Sequence, residues 1–272
     1  MPTAVANALL ASGAHPTATF PNAHLLPAAA LGEQAKWSAP QGPGPGSPLV
    51  ELRRAVKEED WVRNYEEGLT TMGMCAEWSA SSERCELLAT VAGSIGARRV
   101  LEIGSFCGVA ALALARALPE DARVQALEID PFVVALGQRF SGKCPAGRKI
   151  TTRVGAASVS LEAMALEARA GVLEPFDLAV VDADKAGMRG YFDHLWSKPG
   201  LLGEGAVVCV DLTPFKGQPP LRYVKFGFPY PWEASSGQEE IEALRAYIAA
   251  SPQFVSHEVG LLLVVQRASR AQ

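Results

Sequence analysis

Residues 98–130, RRVLEIGSFCGVAALALARALPEDARVQALEID, decide the fold. An apolar, β-prone run (98–103) stops at Gly104, an Ala- and Leu-rich helical run (109–118) starts after Gly108, and a second apolar run (123–129) carries Glu128 at its end. Strand, helix and strand in that order form one crossover unit, and the alternation continues downstream. Helical PFVVALGQRF (131–140), KITTRV (149–154), helical SLEAMALEAR (160–169), FDLAVVD (176–182), helical AGMRGYFDHLW (186–196) and GAVVCVD (205–211) follow one another. Five β-rich runs separated by helical ones predict an α/β fold with a parallel sheet covered on both faces. The rhythm breaks after Asp211, where a Pro- and aromatic-rich stretch (213–232) and a helix (238–250) lead into FVSHEV (254–259) and GLLLVVQR (260–267). A parallel crossover needs a dozen or more residues, so these last two strands must form an antiparallel hairpin.

Upstream, LVELRRAVKEEDWVRNYEEGL (49–69) and SSERCELLATVAGSI (81–95) show apolar residues at helical spacing and are expected to pack as a helical lid on the domain, which spans 49–270. Residues 1–48 differ: they are Ala- and Pro-rich, end in APQGPGPGSP, and carry only Glu33 and Lys36 as charges. They read as a flexible leader, with an organelle-targeting peptide as the alternative. With 272 residues, a net charge of -4 and no run of Lys or Arg longer than a pair, the chain is not built to neutralise phosphates, so nucleic acid is excluded as main partner. No apolar stretch approaches the roughly 20 residues that a membrane-crossing helix needs. The five cysteines show no CxxC spacing, which suits a reducing compartment and a cytoplasmic location.

Two clusters carry chemistry. In Glu102-Ile-Gly104-Ser105-Phe-Cys-Gly108 the glycines let the chain turn tightly beside a ligand. The spacing is not GxGxxG, which disfavours a dinucleotide cradle. Glu128, twenty residues past Gly108, stands where a carboxylate can accept ribose hydroxyls. The second cluster is Asp182-Ala-Asp184-Lys185 with Asp211, three carboxylates and an ammonium expected at the carboxyl ends of neighbouring strands. Asp184 and Lys185 also suit a helix cap and a solvated ion pair, whereas Asp182 and Asp211 would repel one another without a cation between them, a role a hard divalent ion fills. None of the four histidines forms a set with metal-ligand spacing, and none is assigned a catalytic role.

LEIGSFCGVAALALARALPEDARVQALEID, VVDADKAG and VVCVDLTPFKG resemble the class I S-adenosylmethionine-dependent O-methyltransferases of the caffeoyl-CoA and catechol type, over about residues 75–267. The resemblance implies a Rossmann-like sheet of seven strands, mostly parallel with the last one reversed. It implies Glu102 and Gly104 beside the cofactor's methionine part, Ser105 and Gly108 as further cofactor-binding residues, Glu128 on its ribose, Ala157 beside the adenine, and Asp182 and Asp184 at the cofactor as well, Asp184 near the sulfonium and amino group. It further implies Asp182 and Asp211 as ligands of a divalent metal, Mg2+, with Asp182 at the reacting centre, and Lys185 as general base. The partners it implies are a small-molecule hydroxyl acceptor and a second copy in a homodimer. Two departures stand out: Leu212 follows Asp211 where the family has Asn, removing one oxygen ligand, and Val259-Gly260 replaces the family's Asp-Gly before the last strand. The segment EEDWVRNYEEG (58–68) also resembles the opening helix of mycosporine-pathway O-methyltransferases, which act on a cyclohexenone enol.

The expected activity is methyl transfer to a small phenolic, catechol-like or cyclohexenone-enol hydroxyl, with stretch 213–232 (Phe215, Tyr223, Phe226, Phe228, Tyr230, Trp232) as the pocket wall. Two other classes stay open on the sequence: a nicotinamide-dependent oxidoreductase, and a non-catalytic cofactor-binding subunit that lost its metal with Leu212.

Overall fold

The computed structural model of the protein describes residues 44, 46–214 and 237–268. The leader 1–48, except for 44 and 46–48, and the aromatic stretch from 215 to 232 lie outside the described residues. Three helices come first: α1 (Pro48–Glu58), α2 (Trp61–Glu66) and α3 (Ser82–Ser94). The alternating part follows as β1 (Arg99–Ile103), α4 (Val109–Ala117), β2 (Arg123–Glu128), α5 (Pro131–Ser141), β3 (Ile150–Val154), α6 (Ala157–Arg169), β4 (Phe176–Val181), α7 (Met188–Ser197) and β5 (Leu202–Asp211). Helix α8 (Gln238–Ala250), β6 (Phe254–Val259) and β7 (Leu262–Arg267) complete it. The sheet order is β3-β2-β1-β4-β5-β7-β6. Strands β1 to β5 pair in parallel, while β7 runs antiparallel between β5 and β6, so the hairpin supplies the reversed strand.

Successive residues of a strand point to opposite faces, and here both faces are buried. Val100, Val124, Leu178, Val180, Val207 and Cys209 pack under α1, α3, α4 and α5, against residues such as Leu52, Leu88, Leu112 and Leu136. Leu101, Ile103, Leu127, Ala179, Val181, Val208 and Val210 pack under α6, α7 and α8, against Met164, Phe192 and Ile241. Local chemistry fixes the helix ends. Ser47 Oγ accepts the Val50 N–H ahead of Pro48, and Asp130 caps α5 ahead of Pro131. At the other end of α4 the buried Lys149 donates to the Ala115 and Leu118 carbonyls, a cation where the helix dipole is negative. Among the described residues no helix is long and apolar enough to cross a membrane.

The strand order reverses between β1 and β4. The crossovers from β1 and from β4 leave in opposite directions there, the place at which open α/β sheets take ligands.

Candidate active site

Strand register sets the expected residues in one row. Ile103 pairs with Leu127 and with Val181, and Val181 pairs with Val210. The next residue on each strand is therefore at one level: Gly104, Glu128, Asp182 and Asp211. Alternation puts all four on the face of Val100, Val124, Val180 and Cys209, which α3 and α4 cover. Glu102 shares that face and is buried at 2% exposure.

The β1 loop is drawn tightly against its neighbours. Gly104 adopts φ +85°, and a Cβ on it would lie 2.4 Å from the Asp182 carbonyl oxygen, so only glycine lets β1 and β4 approach this closely. Gly104 and Ser105 N–H both donate to the Leu127 carbonyl, and Gly108, at φ +74°, opens α4. Between them Phe106 holds φ +49°, uncommon for a side chain of that bulk. Glu128 holds it there: its Oε2 accepts the Phe106 N–H at 2.7 Å, while Oε1 accepts those of Ile129 at 2.8 Å and Asp130 at 3.1 Å. A carboxylate has about four acceptor positions. Three serve the backbone, so one remains for a ligand hydroxyl rather than the two a ribose offers. Burial raises the Glu128 pKa above the ordinary carboxylate range and outweighs the three N–H groups that lower it. Gly155 N–H donates to the Glu128 carbonyl, which brings Ala157, the first residue of α6, alongside.

The segment between α1 and α3 covers this loop. Trp61 stacks 5.1 Å from Phe106, Trp78 meets the same ring at 6.1 Å, and Trp61 Nε1 donates to the Val56 carbonyl. Buried Asp130 fastens the cover, since Oδ2 accepts both the N–H and the hydroxyl of Thr71 while Oδ1 accepts Phe132 N–H. Trp61, in the EEDWVRNYEEG segment, therefore serves packing.

At the other half of the row the structure departs from expectation. Arg84, in the first turn of α3, reaches between the two aspartates. Its Nη1 donates to Asp182 Oδ2 at 3.1 Å, and its Nη2 donates to Asp211 Oδ1 and to Thr213 Oγ1, the latter at 2.6 Å. Lys185 Nζ donates to the Asp211 carbonyl at 2.9 Å and to its Oδ2 at 3.1 Å. Thr213 donates its N–H and hydroxyl to Asp211 Oδ1. Burial opposes the Arg84 charge, but Asp182 and Asp211 outweigh it and raise the pKa. Leu212, 1% exposed, offers no oxygen beside them. Two carboxylates compensated by two side-chain cations are not a donor set for Mg2+, which wants oxygens in near-octahedral array. Among the described residues no group of three or more His, Cys, Asp or Glu is disposed to hold a metal ion. The divalent ion expected at Asp182 and Asp211 does not fit this arrangement.

Asp184 is exposed and turns to its own helix, where Oδ2 accepts Gly187 N–H at 2.6 Å and Oδ1 accepts the Tyr191 hydroxyl at 2.7 Å. Both bonds are local, one to the turn ahead of α7 and one to a residue within it, and each oxygen keeps a further acceptor position. Lys185 makes a buried ion pair rather than a solvated one, its side chain 12% exposed against 0% for Asp211. The structure thus brings Gly104, Ser105, Gly108, Glu128 and Ala157 together around one loop, and Asp182, Lys185 and Asp211 around Arg84. Sequence reasoning missed Arg84, Thr213, Phe106 and the Asp130–Thr71 clasp.

The sequence model of a family described as O-methyltransferase matches residues 55–219, more than half of the chain. Catechol O-methyltransferase domain-containing protein 1 of Mus musculus is 33% identical over 167 residues, 61% of each chain. Tricin synthase 1 of Oryza sativa subsp. japonica is 38% identical over 139 residues, 51% of this chain and 54% of its own. The matches thus span little more than half of these relatives' lengths. Among solved structures, the O-methyltransferase TomG from Streptomyces achromogenes in complex with SAM superposes with a TM-score of 0.60 at 23% identity, covering 82% of this chain and 90% of its own. An O-methyltransferase from Bacillus cereus in complex with SAH gives 0.59 at 22% identity, with the same shares covered. These two likenesses are of fold. The family model, matched across the Gly104 loop, Glu128 and the Asp182 and Asp211 edge, is what places the chain: it belongs to the O-methyltransferase family.

Proposed function

We propose that this chain moves a methyl group from S-adenosylmethionine to a hydroxyl of a small phenolic, catechol-like or cyclohexenone-enol acceptor. The observation that carries the reading is the row itself. A close-packed glycine loop, a backbone-organised Glu128 and an acidic edge stand at one level beside the reversal of strand order, where open α/β sheets bind ligands. The residues suit the cofactor, because Glu128 keeps one acceptor position for a ribose hydroxyl and the buried Glu102 adds a carboxylate on the same face. Relatives named for catechol and tricin support phenolic acceptors. The EEDWVRNYEEG segment is what supports the cyclohexenone enol of the mycosporine branch.

S-adenosylmethionine supplies an electrophilic methyl on a positively charged sulfur. What remains for the protein is alignment and proton removal. The Gly104–Gly108 loop and Glu128 hold the cofactor, and Ala157 borders the adenine. With the cofactor bound, Asp182 would border the acceptor hydroxyl, whose oxygen lone pair would form the new C–O bond while the C–S pair stays on sulfur. Lys185, the base that the resemblance implies, is an ammonium paired with Asp211 at rest, so it can receive the hydroxyl proton only after releasing its own to solvent. The reading is tested by incubating the full-length protein with methyl-labelled S-adenosylmethionine and catechols, caffeoyl-type thioesters and cyclohexenone enols in parallel. Labelled methyl ether and S-adenosylhomocysteine in equal amounts are expected with one acceptor class. No transfer to any of them by folded protein that binds the cofactor favours a non-catalytic subunit.

A further inference from the structure

We infer that the guanidinium of Arg84 stands in place of the divalent ion, so that this site works without metal. Among the described residues of the cluster, the two negative charges of Asp182 and Asp211 face the two positive charges of Arg84 and Lys185. The cluster is largely buried, with Arg84 and Asp182 side chains 12% and 13% exposed and Asp211 at 0%. A divalent ion entering among these four groups would leave two uncompensated positive charges in a low-dielectric site, which is prohibitive unless Arg84 withdraws. Arg84 is held against withdrawal on three sides, by Asp182, Asp211 and Thr213.

Its position makes the same point from the helix side. Arg84 lies in the first turn of α3, where the helix dipole disfavours a cation, and its backbone N–H is taken by the capping Ser81 hydroxyl. Only the two carboxylates make that place favourable for a buried guanidinium. The helix start is braced by Arg53, which donates to the Ala80 carbonyl at 2.9 Å and to Cys85 Sγ at 3.1 Å. Leu212 fits the same scheme. Where no ion needs a further oxygen, an apolar side chain packs in its place, 1% exposed.

A consequence for substrate choice follows, and this part rests on the methyl-transfer reading above. A hard ion with open positions selects acceptors with two adjacent hydroxyls, because they chelate it. A guanidinium engaged by two carboxylates does not, so a single hydroxyl suffices.

The test uses Mn2+ as the probe and the full-length protein. Wild type is expected to show no saturable Mn2+ binding in a paramagnetic-resonance titration, and a Tm that neither EDTA nor Mn2+ moves. Arg84→Ala is expected to melt lower in EDTA and to gain saturable Mn2+ binding, with part of the lost Tm restored and the gain abolished by adding Asp182→Asn. Saturable Mn2+ binding by wild type that Asp211→Asn removes overturns the inference, whether or not Arg84→Ala folds. A folded Arg84→Ala that still binds no Mn2+ overturns it too, because Arg84 is then not what stands in the ion's place. Methyl transfer by wild type that EDTA leaves unchanged agrees with the inference, and transfer that EDTA abolishes and Mg2+ restores contradicts it. A wild type that transfers nothing sinks the proposed function alone, since the Mn2+ and melting readouts do not depend on catalysis.

Discussion

Replacing Gly104 by Ala tests the closeness of β1 and β4 that the whole row depends on. Two costs add. At φ +85° an L side chain is strained, which costs about 1–2 kcal/mol. The new methyl would also sit 2.4 Å from the Asp182 oxygen and 2.8 Å from Ala183 Cα, where ordinary contact begins near 3.4 Å. Both are backbone atoms that cannot rotate away, and overpacking of this kind costs about 1–3 kcal/mol. The sum, about 2–5 kcal/mol, is a large share of the roughly 5–15 kcal/mol that holds a domain together. Gly108→Ala separates the two contributions. Gly108 has φ +74° with nothing within 4 Å of its would-be Cβ, so it should lose only the conformational part. Urea unfolding followed by circular dichroism measures both variants, and with a slope of about 2 kcal/mol per molar the Gly104→Ala midpoint should fall by about 1–2.5 M. Equal midpoint shifts for the two variants would refute the close approach of Gly104 to Asp182.

Three further outcomes are expected. Asp130→Ala removes the α5 cap and the Thr71 clasp together, so it should cost about 2–4 kcal/mol and speed amide exchange of residues 61–74 before that of the sheet. Glu128→Ala should weaken S-adenosylhomocysteine binding by about 1.5–3 kcal/mol, as one charged hydrogen bond is lost, and a calorimetric Kd unchanged from wild type would remove Glu128 from the cofactor site. The pH dependence of that binding has a definite sign. Because burial raises the Glu128 pKa, the carboxylate takes up its proton above the usual carboxylate range as pH falls. Affinity should decline there in wild type and not in Glu128→Gln. For stability the same group acts the opposite way: its contribution is fully present below its unfolded-state pKa and is lost as pH rises through the raised folded value.

Much of this arrangement was legible in the chain. The apolar β-rich runs and the helices between them placed each strand within a few residues, and the short link between the last two strands required the reversed hairpin that forms β6 and β7. The row was legible as well, because each of Gly104, Glu128, Asp182 and Asp211 ends or follows a β run, and parallel strands of one sheet bring such ends together. Arg84 was not, for a physical reason. It lies in SSERCELL, 98 residues before Asp182, and helical periodicity cannot tell a solvated arginine from one that turns inward to a sheet edge it meets only in three dimensions. One local signal was present: a cation in the first turn of a helix opposes the dipole and invites the question of what compensates it. Leu212 was the other half of that signal: the sequence showed a ligand oxygen missing there, and the structure shows an apolar side chain buried at 1% exposure. Asp184 carried two readings, a local turn partner and a neighbour of the cofactor's sulfonium; the structure shows the local bonds, to Gly187 N–H and the Tyr191 hydroxyl.

Binding of S-adenosylmethionine at the carboxyl edge around Gly104 and Glu128 is tested most directly by isothermal titration of the wild-type chain with S-adenosylhomocysteine. Saturable binding of one molecule per chain is expected. A folded protein that gives no saturable binding heat at any of several temperatures would contradict it.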